Sequence, residues 1–122
     1  MHLLIAYIYL PHHNDPLLEE FTYGDSKKRA RRLKLDAKPG DYIFFHRSIG
    51  GRRFITAYYV VDRVLDTAEA AKYRNITAKY RNPHILEFLL GERTTEEEDA
   101  LVFGDPITSR VLDRPLPFDK SL

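Results

Sequence analysis

Several residue types that build common functional sites are missing from this chain of 122 residues. There is no cysteine, which excludes a disulfide framework, a thiolate metal site and a cysteine nucleophile. There is no tryptophan and no glutamine, and the only methionine is the initiator. Thermolabile residue types are thus depleted while 30% of the residues are charged, a composition that predicts a thermophilic host.

The chain also lacks a long apolar run. A membrane-spanning helix needs about 20 consecutive apolar residues, and no segment approaches that length. The N-terminal segment 1–13 has neither a basic region nor a small-residue cleavage site, so it indicates a first β-strand and not a signal peptide. We therefore predict a cytoplasmic protein with a single domain over residues 1–122.

The net charge of +1 conceals an asymmetry along the chain. Residues 1–81 hold 15 Lys and Arg against 9 Asp and Glu, whereas residues 82–122 hold 4 against 9. This pattern is typical of a basic face that binds phosphate groups. It is equally compatible with two segments that neutralise each other across one fold, because segregation along the sequence need not persist in space.

The pattern of apolar and turn-forming residues predicts an α+β fold, a small mixed β-barrel of about five to six strands flanked by short helices. Strands are predicted at His2–Leu10, on both sides of the Gly50-Gly51 turn, at Ile85–Leu90 and at Ala100–Phe103. Helices are predicted over Lys27–Leu35 and Ala68–Tyr73, the second capped by Asp66 or Thr67. After Gly104 the chain is predicted to be a turn and a proline-punctuated tail.

The hairpin around Gly50-Gly51 is the most informative feature that is present. A two-residue turn pairs Ile49 with Arg52, and counting back from there pairs Tyr42 with Tyr59. Aromatic and basic side chains crowd both strands, which suits planar, anionic ligands. The candidate base-binding pocket of the hairpin consists of Tyr42, Phe44, His46, Arg47, Ser48, Tyr58 and Tyr59.

Basic residues are densest at 27–34, where six of eight are Lys or Arg. On a helix, Ala30 and Leu33 share the buried side and the cations cover the remainder. The alternative is a solvated helix face that only keeps the protein soluble. The candidate phosphate-binding residues are Lys27, Lys28, Arg29, Arg31, Arg32 and Lys34, together with Arg52 and Arg53 of the hairpin.

An imperfect repeat, Lys-Tyr-Arg-Asn, occurs at 72–75 and again at 79–82. If the segment is helical, the seven-residue spacing places equivalent residues near one face. Tyrosine stacks on bases and arginine binds phosphates, so a second binding edge is predicted. It consists of Tyr73, Arg74, Tyr80 and Arg81.

Catalytic and metal-binding patterns are weak in this sequence. The adjacent His12 and His13 would point to opposite faces of a strand, and no HExxH-type partner accompanies them. The serines lack a nucleophile elbow, and no glycine-rich phosphate loop is present. We expect no metal, no cofactor and no catalytic residues.

The segment Lys38–Asp41, followed by Ile43–Ser48 and Ile55–Val61, resembles the PUA-like superfamily, closest to EVE- and YTH-type domains. Those families carry a basic helical segment before a strand of this pattern. The C-terminal segments Phe103–Pro106, Ser109-Arg110 and Pro115–Pro117 are similar to those of uncharacterised relatives found near nucleotide-modification and restriction genes. The similarity covers roughly residues 1–118.

This resemblance implies a compact barrel that holds a flipped or single-stranded base, and a role in reading modified bases in DNA or RNA. His46, Arg47 and Ser48 would line the pocket mouth, and Tyr42 or Tyr59 would be the stacking ring. Because tryptophan is absent, a methyl-recognising cage would consist of Tyr and Phe. The resemblance also implies a specificity domain of an archaeal McrB-type restriction enzyme, with a fused or associated AAA+ GTPase and nuclease.

We therefore expect a non-enzymatic domain that binds nucleic acid and recognises a modified base. One alternative is a small hydrolase of the ASCH-like type acting on RNA or a modified nucleoside, which would use Lys38, Asp41 and Tyr42. A second alternative is a protein-interaction module whose basic helix docks an acidic partner.

Overall fold

Six strands and four short helices make up the computed structural model, which describes residues 2–10, 14–93 and 98–119. The order along the chain is β1 (His2–Ala6), β2 (Thr22–Ser26), α1 (Lys27–Asp36), β3 (Tyr42–Ile49), β4 (Arg52–Asp66), α2 (Thr67–Ala70), α3 (Arg74–Thr77), α4 (Pro83–Leu89), β5 (Asp99–Gly104) and β6 (Arg110–Pro117). The α+β class and the number of strands are thus as predicted.

One sheet contains all six strands in the order β1-β3-β4-β5-β2, with β6 also paired to β4. The β1–β3 pair is parallel and the other pairs are antiparallel. Within the described ranges β1 and β2 do not pair with each other, so the sheet remains open there and a closed barrel is not confirmed.

Strand β4 is the central strand of this sheet. Its first half pairs with β3 on one side and β6 on the other, and its second half pairs with β5. Strands β5 and β6 therefore follow one another along the same edge of β4. Ser109 fills the gap between them, because its Oγ accepts a hydrogen bond of 3.0 Å from the Val60 N–H. The segment 104–110 is thus a turn that leaves the sheet between β5 and β6. Most of the predicted C-terminal tail forms the sixth strand.

Two apolar clusters lie on opposite sides of the sheet. In the first, Leu33 of α1 packs against Ile43, Phe45, Tyr59 and Val102. The second lies under the short helices and contains Ala70, Ile76, Ile85, Leu101 and Phe103. Successive residues of β5 point to opposite faces, so this strand is buried on both sides.

The Gly50-Gly51 hairpin forms with the predicted turn, and both glycines have positive φ, 59° and 82°. Pairing from Ile49–Arg52 to His46–Ile55 follows the prediction. Beyond that point Thr56 is an extra residue in β4, so Phe45 pairs with Ala57 and Tyr42 pairs with Val60. The predicted pairing of Tyr42 with Tyr59 is therefore wrong by one residue.

Two further elements differ from the prediction. The apolar run Ile85–Leu90 forms most of helix α4 and its C-cap, Leu90, and the first turn is capped by the Asn82 side chain accepting from the His84 N–H at 3.0 Å. Pro83 at the first helical position supports the same start. Strand β2, which the sequence pattern did not indicate, is held by its pairing with β5.

Candidate nucleic-acid interface

The seven predicted pocket residues are distributed over three places in the fold. Tyr42, Phe44 and Tyr58 lie together on the sheet face opposite the α1 core. Their rings are close, with centroids 5.7 Å apart for Tyr42–Tyr58 and 5.8 Å for Tyr42–Phe44. Tyr42 is 37% exposed. The bulge at Thr56 produces this outer aromatic cluster, since it places Tyr58 beside Phe44.

Tyr59, in contrast, belongs to the core. It is fully buried, its ring meets Phe45 edge-on at 4.5 Å, and its hydroxyl donates to the Thr22 carbonyl oxygen at 2.9 Å. Burial raises the pKa of Tyr59 well above its ordinary value. A ligand cannot stack on this ring, so the expectation that Tyr59 lines a pocket is wrong for this structure.

The tip of the hairpin holds the remaining predicted residues. His46 is nearly buried, with Nδ1 2.8 Å from the Arg53 Nη2 and its ring edge-on to Phe118 at 4.9 Å. Arg53 is thus engaged by a side chain of the protein. Ser48 is exposed, as is Arg52, whose guanidinium lies over the Phe54 ring at 5.9 Å.

A cavity of about 240 Å³ opens where the chain leaves β1. It is lined by Tyr7, Ile8, Tyr9, Asn14, Asp15, Pro16, Leu17, Leu18 and Glu19. On the hairpin side, the Arg47 guanidinium lies 5.5 Å from the centroid of the Tyr9 ring. Among the predicted pocket residues it is therefore Arg47 that reaches the rim of a cavity. The cavity combines two aromatic rings, the polar side chains of Asn14, Asp15 and Glu19, and the Arg47 cation at its rim, which makes it a candidate ligand site.

The side chains of Asn14 and Asp15 differ in how their hydrogen-bonding groups are satisfied. The Asn14 Oδ1 is buried, and no hydrogen-bond partner for it lies within residues 2–10, 14–93 and 98–119. The Asp15 Oδ1 accepts from the Gly24 N–H at 2.8 Å and from the Asn82 Nδ2 at 3.0 Å. The Asp15 Oδ2 lies 3.1 Å from the His84 Nε2. Asp15 is thus fixed from behind by three groups.

Behind Asp15 lies a buried ionic network that the sequence analysis missed. His84 bridges two carboxylates, because its Nδ1 is 2.7 Å from the Asp99 Oδ1 while its Nε2 faces Asp15. The Arg93 guanidinium donates to Asp99 at 3.0 Å. Gly24 is required beside the imidazole, since a Cβ there would lie 2.3 Å from the ring. The Asn82-Pro83 start of α4 is the one sequence signal that could have located His84.

The pKa of His84 is set by two opposing effects. Burial alone lowers the pKa of an imidazole, but the hydrogen bonds and charges of Asp15 and Asp99 outweigh it and raise the pKa to about 9. The histidine is therefore doubly protonated near neutral pH and donates to both carboxylates. The network thus places the charges of His84 and Arg93 directly against those of Asp15 and Asp99.

This pKa shift gives a first prediction, on the pH dependence of stability. A pKa raised from 6.5 to about 9 stabilises the folded state fully below pH 6.5 and progressively less as the pH rises to 9. We expect the free energy of unfolding to fall by up to about 3 kcal/mol over that interval. Urea denaturation at a series of pH values measures it, and a flat profile between pH 6.5 and 9 would contradict a charged His84.

Helix α1 presents its cations as predicted, with Ala30 and Leu33 buried beneath. Three of its basic residues are engaged by carboxylates: Arg29 by Asp25, Arg31 by Glu98, and Lys34 by Asp66 and Glu98. The others, Lys27, Lys28 and Arg32, are exposed, and no ion pair involves them within residues 2–10, 14–93 and 98–119. These three are the residues of α1 best placed for a phosphate.

The predicted second edge does not form as one surface. The first repeat runs into the short helix α3 and the second follows that helix, so the two do not lie along one helix. Tyr80 packs edge-on against Phe103 at 4.9 Å, while Tyr73 is 48% exposed beside Glu69. Arg74 is exposed, whereas the Arg81 guanidinium donates to the carbonyl groups of Thr77 and Tyr80. The expectation of equivalent residues on one face is thus wrong.

In the part of the chain that the structure describes, no group of three or more His, Asp or Glu side chains is placed to hold a metal ion. His12 and His13 lie outside those residues. None of the described helices is long and apolar enough to cross a membrane.

Comparison with known proteins identifies no relative. The chain matches no protein-family model, no curated protein and no solved structure. Its function must therefore be argued from the geometry of its own residues.

Proposed function

We propose that this protein is a nucleic-acid-binding domain, without enzymatic activity, that holds one unstacked base in the cavity beside β1. The observation that carries this proposal is the combination of the Tyr7 and Tyr9 rings with Asn14 and Asp15 in one cavity, next to the Arg47 cation. At about 240 Å³ the cavity is smaller than the roughly 300–1,000 Å³ of drug-sized ligand sites. It suits a small planar group better than a large cofactor.

The energetics of such binding are favourable with these residues. Extruding a base costs a few kcal/mol, and stacking on an aromatic side chain returns roughly 1–3 kcal/mol per base. Tyr9 is exposed at the rim and is the natural stacking partner, with Arg47 beside it for the attached phosphate. The outer aromatic cluster of Tyr42, Phe44 and Tyr58 provides a second stacking surface for a neighbouring base.

Helix α1 would hold the phosphate backbone. Asp15 of the cavity accepts a hydrogen bond from the Gly24 N–H, and Lys27 lies only three residues after Gly24 in the sequence. Three residues of extended chain span roughly 10 Å, so the start of α1 lies within one or two nucleotides of the cavity. Lys27, Lys28 and Arg32 are thus close enough to contact the strand whose base is bound.

The resemblance to PUA-like domains gives the finer part of the proposal. We infer a PUA-like barrel whose opening lies between β1 and β2, and recognition of a modified base in DNA or RNA. The same resemblance favours a restriction context with an AAA+ GTPase and a nuclease as partners. The PUA-like fold and the modified-base substrate are supported by the sequence motif that spans β3 and β4, and by the basic helix α1 that precedes this motif.

No specific observation favours the alternative that the protein is a hydrolase using Lys38, Asp41 and Tyr42. Asp41 accepts a hydrogen bond of 2.9 Å from the Lys38 N–H, which makes this pair part of the turn before β3. Tyr42 lies on the outer sheet face, away from the cavity side of the fold. The alternative of a protein-interaction module predicts nucleic-acid binding that is absent or insensitive to salt.

The test is the salt dependence of binding in a triple variant, Lys27→Ala, Lys28→Ala and Arg32→Ala. Each cation that neutralises a phosphate contributes about 0.7 to the slope of log K against log salt for a single strand. We expect the variant to bind a labelled single strand more weakly and to lose roughly two units of slope. Fluorescence anisotropy at several salt concentrations, with DNA and RNA, measures both quantities.

A matched control removes three cations elsewhere, with Lys72→Ala, Arg74→Ala and Lys79→Ala on the α2–α3 surface. The control is expected to retain nearly the full slope. If both variants lose the same slope, the assignment of phosphate binding to α1 is wrong. If wild-type binding is undetectable or insensitive to salt, the nucleic-acid proposal fails and the interaction module is favoured.

A further inference from the structure

Strand β4 carries one residue more than its neighbours can pair. Ile55 and Ala57 pair with successive residues of β3, and Thr56 is the extra residue between them. The pairing of β4 with β6 shifts its register at the same point. A bulge disrupts the hydrogen bonding of a sheet locally and redirects a side chain, often beside a functional site. The side chain that this bulge redirects is that of Thr56.

The bulge turns Thr56 toward the inside of the fold. Thr56 is only 7% exposed, and its Oγ1 lies 2.5 Å from the hydroxyl oxygen of Tyr7, so the two groups share a hydrogen bond. Both Ala57 and Tyr7 belong to the packing of the first apolar cluster. Two successive residues of β4, Thr56 and Ala57, therefore face the same side, whereas the residues of a regular strand alternate.

Tyr7 is held at both of its ends as a result. Its N–H donates to the His46 carbonyl at 3.0 Å, which extends the β1–β3 pairing by one residue, and its hydroxyl is held by Thr56. Its ring meets Phe45 edge-on at 6.4 Å. Tyr9, which lines the same cavity, is in contrast 60% exposed. Of the two tyrosines of the cavity, Tyr7 is thus the one that the fold fixes in place.

A side chain that is ordered before binding loses little conformational entropy when the ligand arrives. We propose that Thr56 is a positioning residue of the base site, whose hydrogen bond fixes Tyr7 as a rigid wall of the cavity. Thr56 acts through Tyr7, and the bulge in β4 is the feature that makes this possible. This inference rests on the proposed function and names a residue that sets the affinity of the same site.

The first test is Thr56→Val, which removes the hydroxyl and keeps a β-branched side chain. Ordering one side chain on binding corresponds to roughly twofold to tenfold in affinity, so the variant is expected to bind a labelled single strand more weakly by that factor. Thr56→Ser keeps the hydroxyl and should bind like the wild type. Thr77→Val, at a half-buried position on α3, is the matched control and should also retain wild-type affinity.

The same hydrogen bond can be broken from its other end. Tyr7→Phe should weaken binding by the same factor as Thr56→Val, and it serves as the deciding variant if Thr56→Val does not fold. The double variant removes both hydroxyl groups, so neither is left without its partner. It should therefore regain much of the stability that Thr56→Val loses, because replacing both partners by apolar groups can be nearly neutral. Its affinity should stay at the level of the single variants.

Fluorescence anisotropy measures the affinities, and urea denaturation measures the stability of each variant. Equal losses of affinity in the two single variants, no further loss in the double variant and rescue by Thr56→Ser support the inference. Wild-type affinity of a folded Thr56→Val or Tyr7→Phe overturns it. An affinity that recovers together with stability in the double variant also overturns it, because Thr56 would then act on stability alone. Absence of binding by the wild type overturns the proposed function and this inference with it.

Discussion

Replacing His84 by leucine is expected to lower the free energy of unfolding by about 3–5 kcal/mol, the usual consequence of breaking a buried ion pair by removing one partner. The substitution leaves the Asp15 and Asp99 carboxylates facing an apolar side chain. Asp99 keeps its hydrogen bond to Arg93, but Asp15 loses the one cation that pairs with it among the described residues. Urea denaturation monitored by circular dichroism measures the change.

The control for this variant is His2→Leu. His2 is exposed on β1, where its ring meets Tyr42 edge-on and its Nδ1 accepts from the Tyr42 N–H at 3.3 Å, so its replacement is expected to change stability by about 1 kcal/mol at most. His84→Leu should also abolish the loss of stability between pH 6.5 and 9, whereas His2→Leu should preserve it. Equal stability of wild type and His84→Leu would show that the network does not stabilise the fold.

Truncation of Tyr59 to alanine is expected to cost about 3–5 kcal/mol, as for other large buried aromatic residues. The ring packs against Phe45 and Phe21, so its loss leaves a cavity at the centre of the first cluster. Tyr59→Phe removes only the hydroxyl. It should cost about 1 kcal/mol, because the Thr22 carbonyl also accepts from the Leu17 N–H. Denaturant titration of the two variants measures both values.

Tyr58→Ala is the matched control, since the adjacent side chain lies half-buried on the outer sheet face. We expect it to cost clearly less stability than Tyr59→Ala. Nucleic-acid binding by Tyr59→Phe should equal that of the wild type, because the hydroxyl that it removes is buried against the Thr22 carbonyl and not in contact with a ligand. Weaker binding by a fully folded Tyr59→Phe would contradict the core assignment and restore Tyr59 as a pocket residue.

The hairpin shows how far a local pattern can predict structure. Two glycines between β-rich runs determine the turn, and the turn determines the first four cross-strand pairs. The bulge at Thr56 has no comparable signal, because it depends on where β4 must also meet β6 and β5. The assignment of Tyr59 failed for this reason, since one extra residue reverses every face beyond it.

The predictions for helix α4 and strand β2 were wrong for different physical reasons. Ile85–Leu90 is a short apolar run, and periodicity alone cannot distinguish a buried strand from a buried helix at that length. The decisive signal was the Asn82-Pro83 start, which both caps the first turn and presets its backbone. Strand β2 contains glycine, aspartate and serine, which have low β-propensity, and it exists because β5 pairs with it.

The candidate site was only partly accessible to sequence reasoning. The exposed cations of α1 and the position of Arg47 could be identified from residue types and spacing. The ionic network behind the cavity could not, because Asp15, His84 and Asp99 are distant in the chain and are brought together by α4, β2 and β5. An unsatisfied oxygen such as that of Asn14 is a property of packing and leaves no pattern in the sequence.

Strand β4 has a consequence for how the chain folds. It receives β3 through a two-residue turn, but β5 and β6 arrive only after the whole helical segment 67–93 has been passed. The β1–β3 and β2–β5 pairs likewise join residues that are roughly 40 and 75 positions apart, so most of the sheet closes long loops. Folding dominated by such distant contacts is slow for a chain of this size. The β3–β4 hairpin, the one large local unit, is the natural place for it to begin.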